Sequence, residues 1–256
     1  MTALGSLWLV PNTLDFGVAG ESARLDELLP LSAIRIAARL QHWACENART
    51  TRAFLKRVDA VCPLSHPLQE LSIIELPRPN KGKSASTAPA EVASLLAPAH
   101  EGHDIGLLSE AGLPALADPG TDLVAAAHAA GIAVRSLPGA SAITLALAAS
   151  GMNGQSFAFV GYVPVAIDER AARIRELEAT SRRERQTQLL IETPYRNAAL
   201  LDALITQLGA QTTLSVSVGL TLGSGFTRSD SIAAWRRQPI AITNDLPAVF
   251  AFLASR

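Results

Sequence analysis

Cysteine is scarce in this chain, with two in 256 residues. Cys45 and Cys62 form neither a C-x-x-C pair nor a disulfide framework, which points to a reducing compartment with both thiols buried and inert. An excess of either charge is also missing, since 22 basic and 23 acidic residues leave a net charge of -1. No global positive field draws in nucleic acid, so any RNA contact has to use a local patch. Long apolar runs are absent as well. The longest, AITLALAASGM, is about half a membrane span, and residues 4–10 are a strand's length of apolar chain without the basic flank of a signal peptide. These absences together lead to the expectation of a cytoplasmic protein. What is present is core material: 48% of the residues are hydrophobic, enough for one large domain or two modest ones.

Short β-type runs alternate with helical patterns along most of the chain. LGSLWLV is followed by a predicted helix over 48–57, then LSIIELP, a helix over 89–97 and DIGLL. The series continues with a helix over 119–130, IAVRSLP, a helix over 140–150, SFAFVGY, a helix over 168–179, QTQLLIE and a helix over 195–208. Such alternation predicts an α/β fold with much parallel sheet. After Gln211 the pattern changes, because TTLSVSVGLTL, GFTRSD and LPAVFAFLA have little helix between them, and a mixed or antiparallel sheet is expected there. Pro138 and Gly139 in LPGAS mark the break, giving expected domains of 1–137 and 138–256. The one linker-like stretch, RPNKGKSASTAP at 78–89, reads as a mobile loop, either a lid or a surface excursion.

The most informative loop is SEAGLPALADPGTD, residues 109–122, directly after the predicted central strand DIGLL. It lacks the lysine of a Walker-type phosphate loop and carries Glu110 and Asp118, which would repel a triphosphate. It also lacks G-x-G-x-x-G and is broken by Pro114 and Pro119, against a dinucleotide. Ligands of α/β sheets gather at the carboxyl ends of strands, and small residues there let a ligand approach the backbone. Acidic surroundings suit a cationic or polyhydroxylated ligand. Asp118-Pro119 reads as a helix start, with the carboxylate as cap. HEGHD, 100–104, spaces its histidines three apart rather than four, so no metal is expected. SRRERQ and WRRQ are basic; they read as solvated faces or as RNA contacts, with Trp235 able to stack on a base.

Three segments, DIGLLSEAGLPALADPGTDLV, LPGASAITLALAASGMNGQSFAFVGYVP and QLLIETPYRN, carry a resemblance in their order. They resemble the tetrapyrrole-methylase-like S-adenosylmethionine (SAM) methyltransferases, on the side of the branch that methylates a cytidine 2′-O-ribose of 16S ribosomal RNA. ENARTTRAFLK is similar to that branch's E-D-T-R-x-T-R helix start, with Asn47-Ala48 in place of Asp-Thr. VPNTLDFG departs from the branch's P-x-G-N-L-x-D loop, and the G-x-G-P-G-D loop of the tetrapyrrole enzymes is absent. A shorter sister branch, with NGQSFAF and ETPYRN much as here, is the best match.

The resemblance implies two α/β domains with SAM in the cleft between them, and a homodimer. A sulfonium cation without phosphate fits the lysine-free loop. Cofactor contacts implied by motif matching come from Pro11, Ser109, Ala111, Gly112, Leu116, Ser141, Ala142, Tyr195, Pro247 and Ala248, with Ser141 also a helix cap. Methyl transfer is an in-line displacement that rests largely on alignment. A hydroxyl nucleophile also needs a proton acceptor, for which Glu46, Asp15 and Glu192 are the candidates. Arg49 and Arg52 lie three apart on one helical face and either hold a substrate phosphate or form surface salt bridges. The expected function is SAM-dependent methylation related to the ribosomal RNA reaction, with ribosomal RNA or the small ribosomal subunit as partner. The alternatives are methylation of a small molecule such as a tetrapyrrole, and SAM binding without transfer.

Overall fold

The computed structural model describes residues 3–15, 23–77 and 89–255. The loop expected over 78–89 lies outside them, apart from Pro89, which opens a helix. The chain forms two compact units, Met1–Ala140 and Ser141–Arg256. Each has its own sheet.

The first unit contains β1 (Ser6–Leu9), α1 (Leu25–Leu28), α2 (Leu31–Arg39), β2 (His42–Cys45), α3 (Ala48–Asp59) and β3 (Ser72–Glu75). It continues with α4 (Pro89–Ser94), α5 (Ala97–His100), β4 (Ile105–Leu108), α6 (Thr121–Ala129) and β5 (Ala133–Ser136). The strands form a fully parallel sheet in the order β3-β2-β4-β1-β5. Side chains alternate across it. Trp43, Cys45 and Leu108 join one core with Ile34, Ala37, Phe54 and Leu55 from α2 and α3, whereas Ala44 and Leu107 join the other with Leu96, Leu123 and Ala127. Helices thus cover both faces, which is why β4 is apolar at every position rather than alternating.

The expected α/β pattern is present, with three added elements and one helix divided. The sequence reading passed from LGSLWLV straight to the helix over 48–57, but α1, α2 and β2 lie between them. HWAC is short and has little β-branched character; it becomes a strand because β3 and β4 flank it. The helix expected over 89–97 is two short ones, α4 and α5, with Pro98 at the start of the second. At α3, Asn47 accepts hydrogen bonds from the amides of Arg49 (2.9 Å) and Thr50 (3.3 Å). Asparagine therefore does the capping that aspartate would do there.

The second unit holds α7 (Ala142–Ser150), β6 (Phe157–Gly161), α8 (Ile167–Glu184), β7 (Thr187–Glu192), α9 (Asn197–Gln207), β8 (Thr213–Val218), β9 (Phe226–Ser231), α10 (Ile232–Arg237) and β10 (Ala248–Leu253). Its order is β6-β7-β10-β8-β9, with β6 and β7 parallel and every other pair antiparallel. This is the mixed sheet expected after Gln211. Along β10, Val249 and Ala251 pack with Ile143 and Leu147 of α7. Phe250 and Phe252 face the opposite core, with Ile174, Leu200, Leu204 and Trp235.

Trp235 corrects the stacking reading of WRRQ. Its ring is completely buried, its Nε1 donates to the Leu214 carbonyl at 2.9 Å, and the Arg228 guanidinium lies 4.0 Å from its centroid. Arg236 donates to the carbonyls of Ile205, Thr206 and Leu208, closing the end of α9. Of SRRERQ, Ser181 is buried and Arg182 bonds the Ser255 carbonyl. Among the described residues no helix is long and apolar enough to cross a membrane.

Candidate functional site

In the first sheet, β1 and β4 are neighbours whose outgoing connections lead to opposite sides, β1 toward β2 and β4 toward β5. Such a switch point leaves the carboxyl ends of the two strands open to a ligand. The exit of β1 is buried from Pro11 to Asp15 and is laced to the exit of β4 by Asn12. The Asn12 amide nitrogen of the backbone donates to Gly112 O (2.8 Å), and its Nδ2 donates to the carbonyls of Ser109 and Glu110 (both 3.0 Å). Sequence reading had Asn12 only as part of a departing motif. The usable signal was a polar residue set immediately after a central strand, where burial demands partners.

The exit of β2 joins the same edge. Glu46 donates its backbone N–H to Leu108 O at 3.2 Å and accepts the Glu110 N–H on Oε2 at 3.2 Å. From the exit of β5, Gly139 presses on Pro11 so closely that a Cβ at Gly139 would overlap the proline ring. Gly139→Ala should therefore displace Pro11 and cost roughly 1–3 kcal/mol, the usual range for overpacking. A urea titration of the full chain reads it, and an unchanged midpoint would contradict the contact.

The loop after β4 is held in an uncommon backbone shape. Gly112, Ala115, Ala117 and Gly120 all have positive φ, between 63° and 124°. For an alanine this conformation costs about 1–2 kcal/mol, and strain of this kind gathers at ligand sites. Gly120, not Asp118, occupies the cap position of α6, and no side chain caps that helix. The capping role expected for Asp118 is thus overturned, because the left-handed Gly120 carries the chain away before the first turn begins. Asp118 is instead part-buried beside other acids. Burial foremost, then the charges of Glu46 and Glu110, push its carboxyl up to about 6, with the Ser109 hydroxyl acting in the opposite direction. That hydroxyl is turned toward Asp118, yet it makes no hydrogen bond of regular geometry and is itself buried.

The remaining candidates of this unit sit around that edge with different neighbours. Ala111 is half-buried, Gly112 buried and Leu116 exposed. Asp15 is tied up: Arg57 Nη2 meets its Oδ2 at 2.9 Å, Thr13 Oγ1 donates to its Oδ1 at 2.6 Å, and the carboxylate is buried. Arg49 and Arg52 lie on the exposed face of α3, where Arg52 Nη1 reaches the Ala48 carbonyl at 3.3 Å. A surface depression of about 400 Å³, lined by Lys56, Asp59, His66 and Leu68 among others, shares no residue with this edge.

In the second unit, Glu192 ends β7 opposite Ala248, the first residue of β10, and Pro247 accepts the Gly219 N–H at 2.9 Å. Glu192 is buried and its Oε1 accepts from Arg196 Nη2 (2.7 Å), Arg196 Nε (3.0 Å) and Thr193 N (2.7 Å). Tyr195 projects into solvent, 67% exposed, with the Arg196 guanidinium 5.2 Å from its centroid. Ser141 stands at the expected cap position, although α7 begins at Ala142, two residues later than the expected 140, and the serine makes no side-chain capping bond. Ala142 packs at the edge of the α7 core. Thus Glu192, Tyr195, Pro247 and Ala248 share one end of the second sheet. Asp15 and Glu192 are each bound to an arginine, and Glu46 is the proposed base that faces other acids instead. Among the described residues no group of histidine, cysteine and carboxylate side chains is arranged to hold a metal.

Two α/β units, one with a ligand-type edge at a parallel switch point and one with a mixed sheet, define a two-part α/β ligand-binding protein. The model of the tetrapyrrole (corrin/porphyrin) methylases matches residues 25–224, and the chain belongs to that family. A ribosomal RNA small subunit methyltransferase I of Halalkalibacterium halodurans is 33% identical over 177 residues, 69% of this chain and 54% of that protein. Its namesake in Micromonospora olivasterospora is 33% identical over 207 residues, 80% of this chain and 56% of that protein. The chain spans about half the length of the curated relatives it matches. Among solved structures, the methyltransferase CobJ aligns over 98% of this chain and 95% of its own, with TM-score 0.56 and 16% identity. Uroporphyrin-III C-methyl transferase from Thermus thermophilus, complexed with S-adenyl homocysteine, aligns over 97% of both chains with TM-score 0.53 and 16% identity. These structural likenesses establish the shared fold.

Proposed function

We propose that the chain is a SAM-dependent methyltransferase that acts on a ribose hydroxyl of small-subunit ribosomal RNA. The observation that carries this reading is the acid-lined, lysine-free edge built by Asn12, Glu46, Ser109–Gly112 and Asp118. It fits a cation without phosphate, and the buried Ser109 hydroxyl, free of a regular partner, offers a hydrogen bond to an arriving polar group. The relatives named for ribosomal RNA methylation supply the substrate class.

Pro11, Ser109, Ala111, Gly112 and Leu116 would hold the cofactor on the first unit, and Ser141, Ala142, Tyr195, Pro247 and Ala248 on the second. SAM supplies an activated methyl group for in-line displacement. The chain's own part is to fix geometry and to move one proton. Asn12 and the strained backbone after β4 keep the loop in one shape, so alignment costs little on binding. Glu46 is the group we assign to receive the hydroxyl proton. Asp15, bound to Arg57, and Glu192, bound to Arg196, position their loops. Arg49 and Arg52 on the open face of α3 engage substrate phosphates. A homodimer in the cytoplasm, where ribosomal RNA resides, completes the reading.

A second reading, methylation of a tetrapyrrole or another small molecule, draws on the names of the structural neighbours, among them cobalt precorrin-4 methyltransferase. A third, SAM binding without transfer, draws on the two departing motifs at 11–17 and 46–52. Incubation with radiolabelled SAM and undermethylated small subunits, total RNA or cell extract separates them. We expect label in RNA. Label confined to a small-molecule fraction would establish the second reading, and none anywhere with calorimetric SAM binding intact would establish the third.

A further inference from the structure

We propose that the depression at the carboxyl end of α3 takes one unpaired, amino-bearing base of the RNA strand, and that Arg49, Arg52 and Lys56 lead the strand's phosphates to it from the reaction edge. The inference rests on the RNA reading above and adds a base-binding subsite that shares no residue with the cofactor edge.

The spacing along α3 sets the track. Arg49, Arg52 and Lys56 recur at i, i+3 and i+7, so they lie along one helical face, and all three are exposed. Among the described residues none of the three is in an ion pair. Arg52 gives one N–H to the Ala48 carbonyl and keeps its other donors for a ligand. Arg57, the remaining cation of the helix, is bound to Asp15 instead. Glu46, assigned above as the proton acceptor, lies just before the helix, and Lys56 follows it after roughly 15 Å of axial rise. An extended strand with its reacting ribose at Glu46 passes the three cations and reaches the depression after about two or three nucleotides.

The depression itself is preformed. Its volume is about 400 Å³, and Leu64 and Leu68 line it while packing on the core that α2 and α3 share. The loop that carries them is pinned: Leu64 N–H donates to Asp59 Oδ1 at 2.9 Å, Ser65 N–H to the Ala38 carbonyl at 2.9 Å, and Glu70 N–H to the Pro67 carbonyl at 2.8 Å. The Ser65 hydroxyl lies 3.1 Å from His66 Nδ1 and holds the imidazole in place. A formed hollow with apolar and aromatic lining and a few placed polar groups suits a flat heterocycle.

The lining groups divide the work among the parts of a nucleotide. His66 offers a ring on which a base from a single strand can stack. Lys56 answers a phosphate. Asp59 repels a phosphate, so its wall faces the base; with Oδ1 held by Leu64, its other oxygen accepts from an exocyclic amine. Cytosine and adenine carry that amine on the base edge, and uracil does not.

Fluorescence anisotropy of the full chain with short labelled oligocytidylate and oligouridylate tests this, with calorimetric SAM affinity as the check on folding. Oligocytidylate is expected to bind at least fivefold tighter. In Asp59→Asn the carbonyl oxygen keeps the Leu64 bond and the amide presents a donor, so that preference disappears. Lys56→Met should weaken binding about fivefold and lower the slope of log affinity against log salt by roughly 0.7, the value for one phosphate contact on a single strand. His66→Ala should cost roughly tenfold. Arg183→Met, an exposed cation of the second unit, should leave affinity unchanged. Equal binding of the two oligonucleotides overturns the proposal, as do unchanged affinities in Lys56→Met and His66→Ala, or an equal loss in Arg183→Met. Cytidine 5′-monophosphate binding as tightly as the oligonucleotide overturns the phosphate track. Label in ribosomal RNA together with any of these results defeats this inference alone. Failure of the wild type to bind either oligonucleotide overturns it as well, and absence of label from RNA defeats the RNA reading itself.

Discussion

Arg57→Met should destabilise the first unit by roughly 3–5 kcal/mol, the range for removing one partner of a buried ion pair. The guanidinium on α3 donates to Asp15 Oδ2 at 2.9 Å and Oδ1 at 3.3 Å, to Thr13 Oγ1 at 3.1 Å and to Ala23 O at 3.2 Å. It therefore ties α3 to the exit of β1 on one side and to the approach to α1 on the other. Methionine keeps much of the stem's packing and loses all four bonds, two of them to the buried Asp15 carboxylate. The same change frees the loop that carries Pro11 and Asn12, and SAM affinity should fall with stability. Urea titration followed by calorimetry checks both. A variant as stable as wild type would show that the Asp15 carboxylate draws its support from elsewhere.

The second large effect is expected at Trp235. Truncation to alanine removes a completely buried indole from the core formed by Ile174, Leu200, Leu204, Phe250 and Phe252, and leaves the Leu214 carbonyl without its donor. Cavity formation of this kind costs about 3–5 kcal/mol. The consequence belongs to folding and not to RNA recognition. Trp235→Phe, which retains most of the volume, should recover most of the stability and leave RNA labelling unchanged at a temperature where it is folded. Loss of labelling in a stable Trp235→Phe protein would restore the base-stacking role that burial argues against.

The two cases show how differently the chain's features could be read. Alternating strand and helix periodicity, the change after Gln211 and the short α3 start at ENARTTR depend on residues close in sequence, and the structure bears them out. HWAC was illegible as a strand because its apolar positions become meaningful only when β3 and β4 lie beside it. The helix before it, LSAIRIAAR, has a buried stripe of Ala33, Ile34, Ala37 and Ala38, a spacing that is already present in the sequence. Glu46, Asp15 and Glu192 look alike in sequence as carboxylates near the expected ligand loops. Tertiary partners separate them, giving two an arginine and leaving the third among acids.

The absence of lysine from SEAGLPALADPGTD, the small residues after a central strand and the family motifs are properties of the sequence alone, and they determined the class of ligand. They suffice because charge type and backbone freedom are carried by the residues themselves. The environment of each side chain was decided by the tertiary structure. Asp118 moved from presumed helix cap to a part-buried member of an acidic group because Gly120 took the cap position and Glu46 arrived from another strand. Asn12 became the tie between two loops because β1 and β4 are neighbours in the sheet, although 97 residues separate it from Ser109. Burial, desolvation and hydrogen-bond partnership are relations between distant segments, so they exist only once the chain has folded.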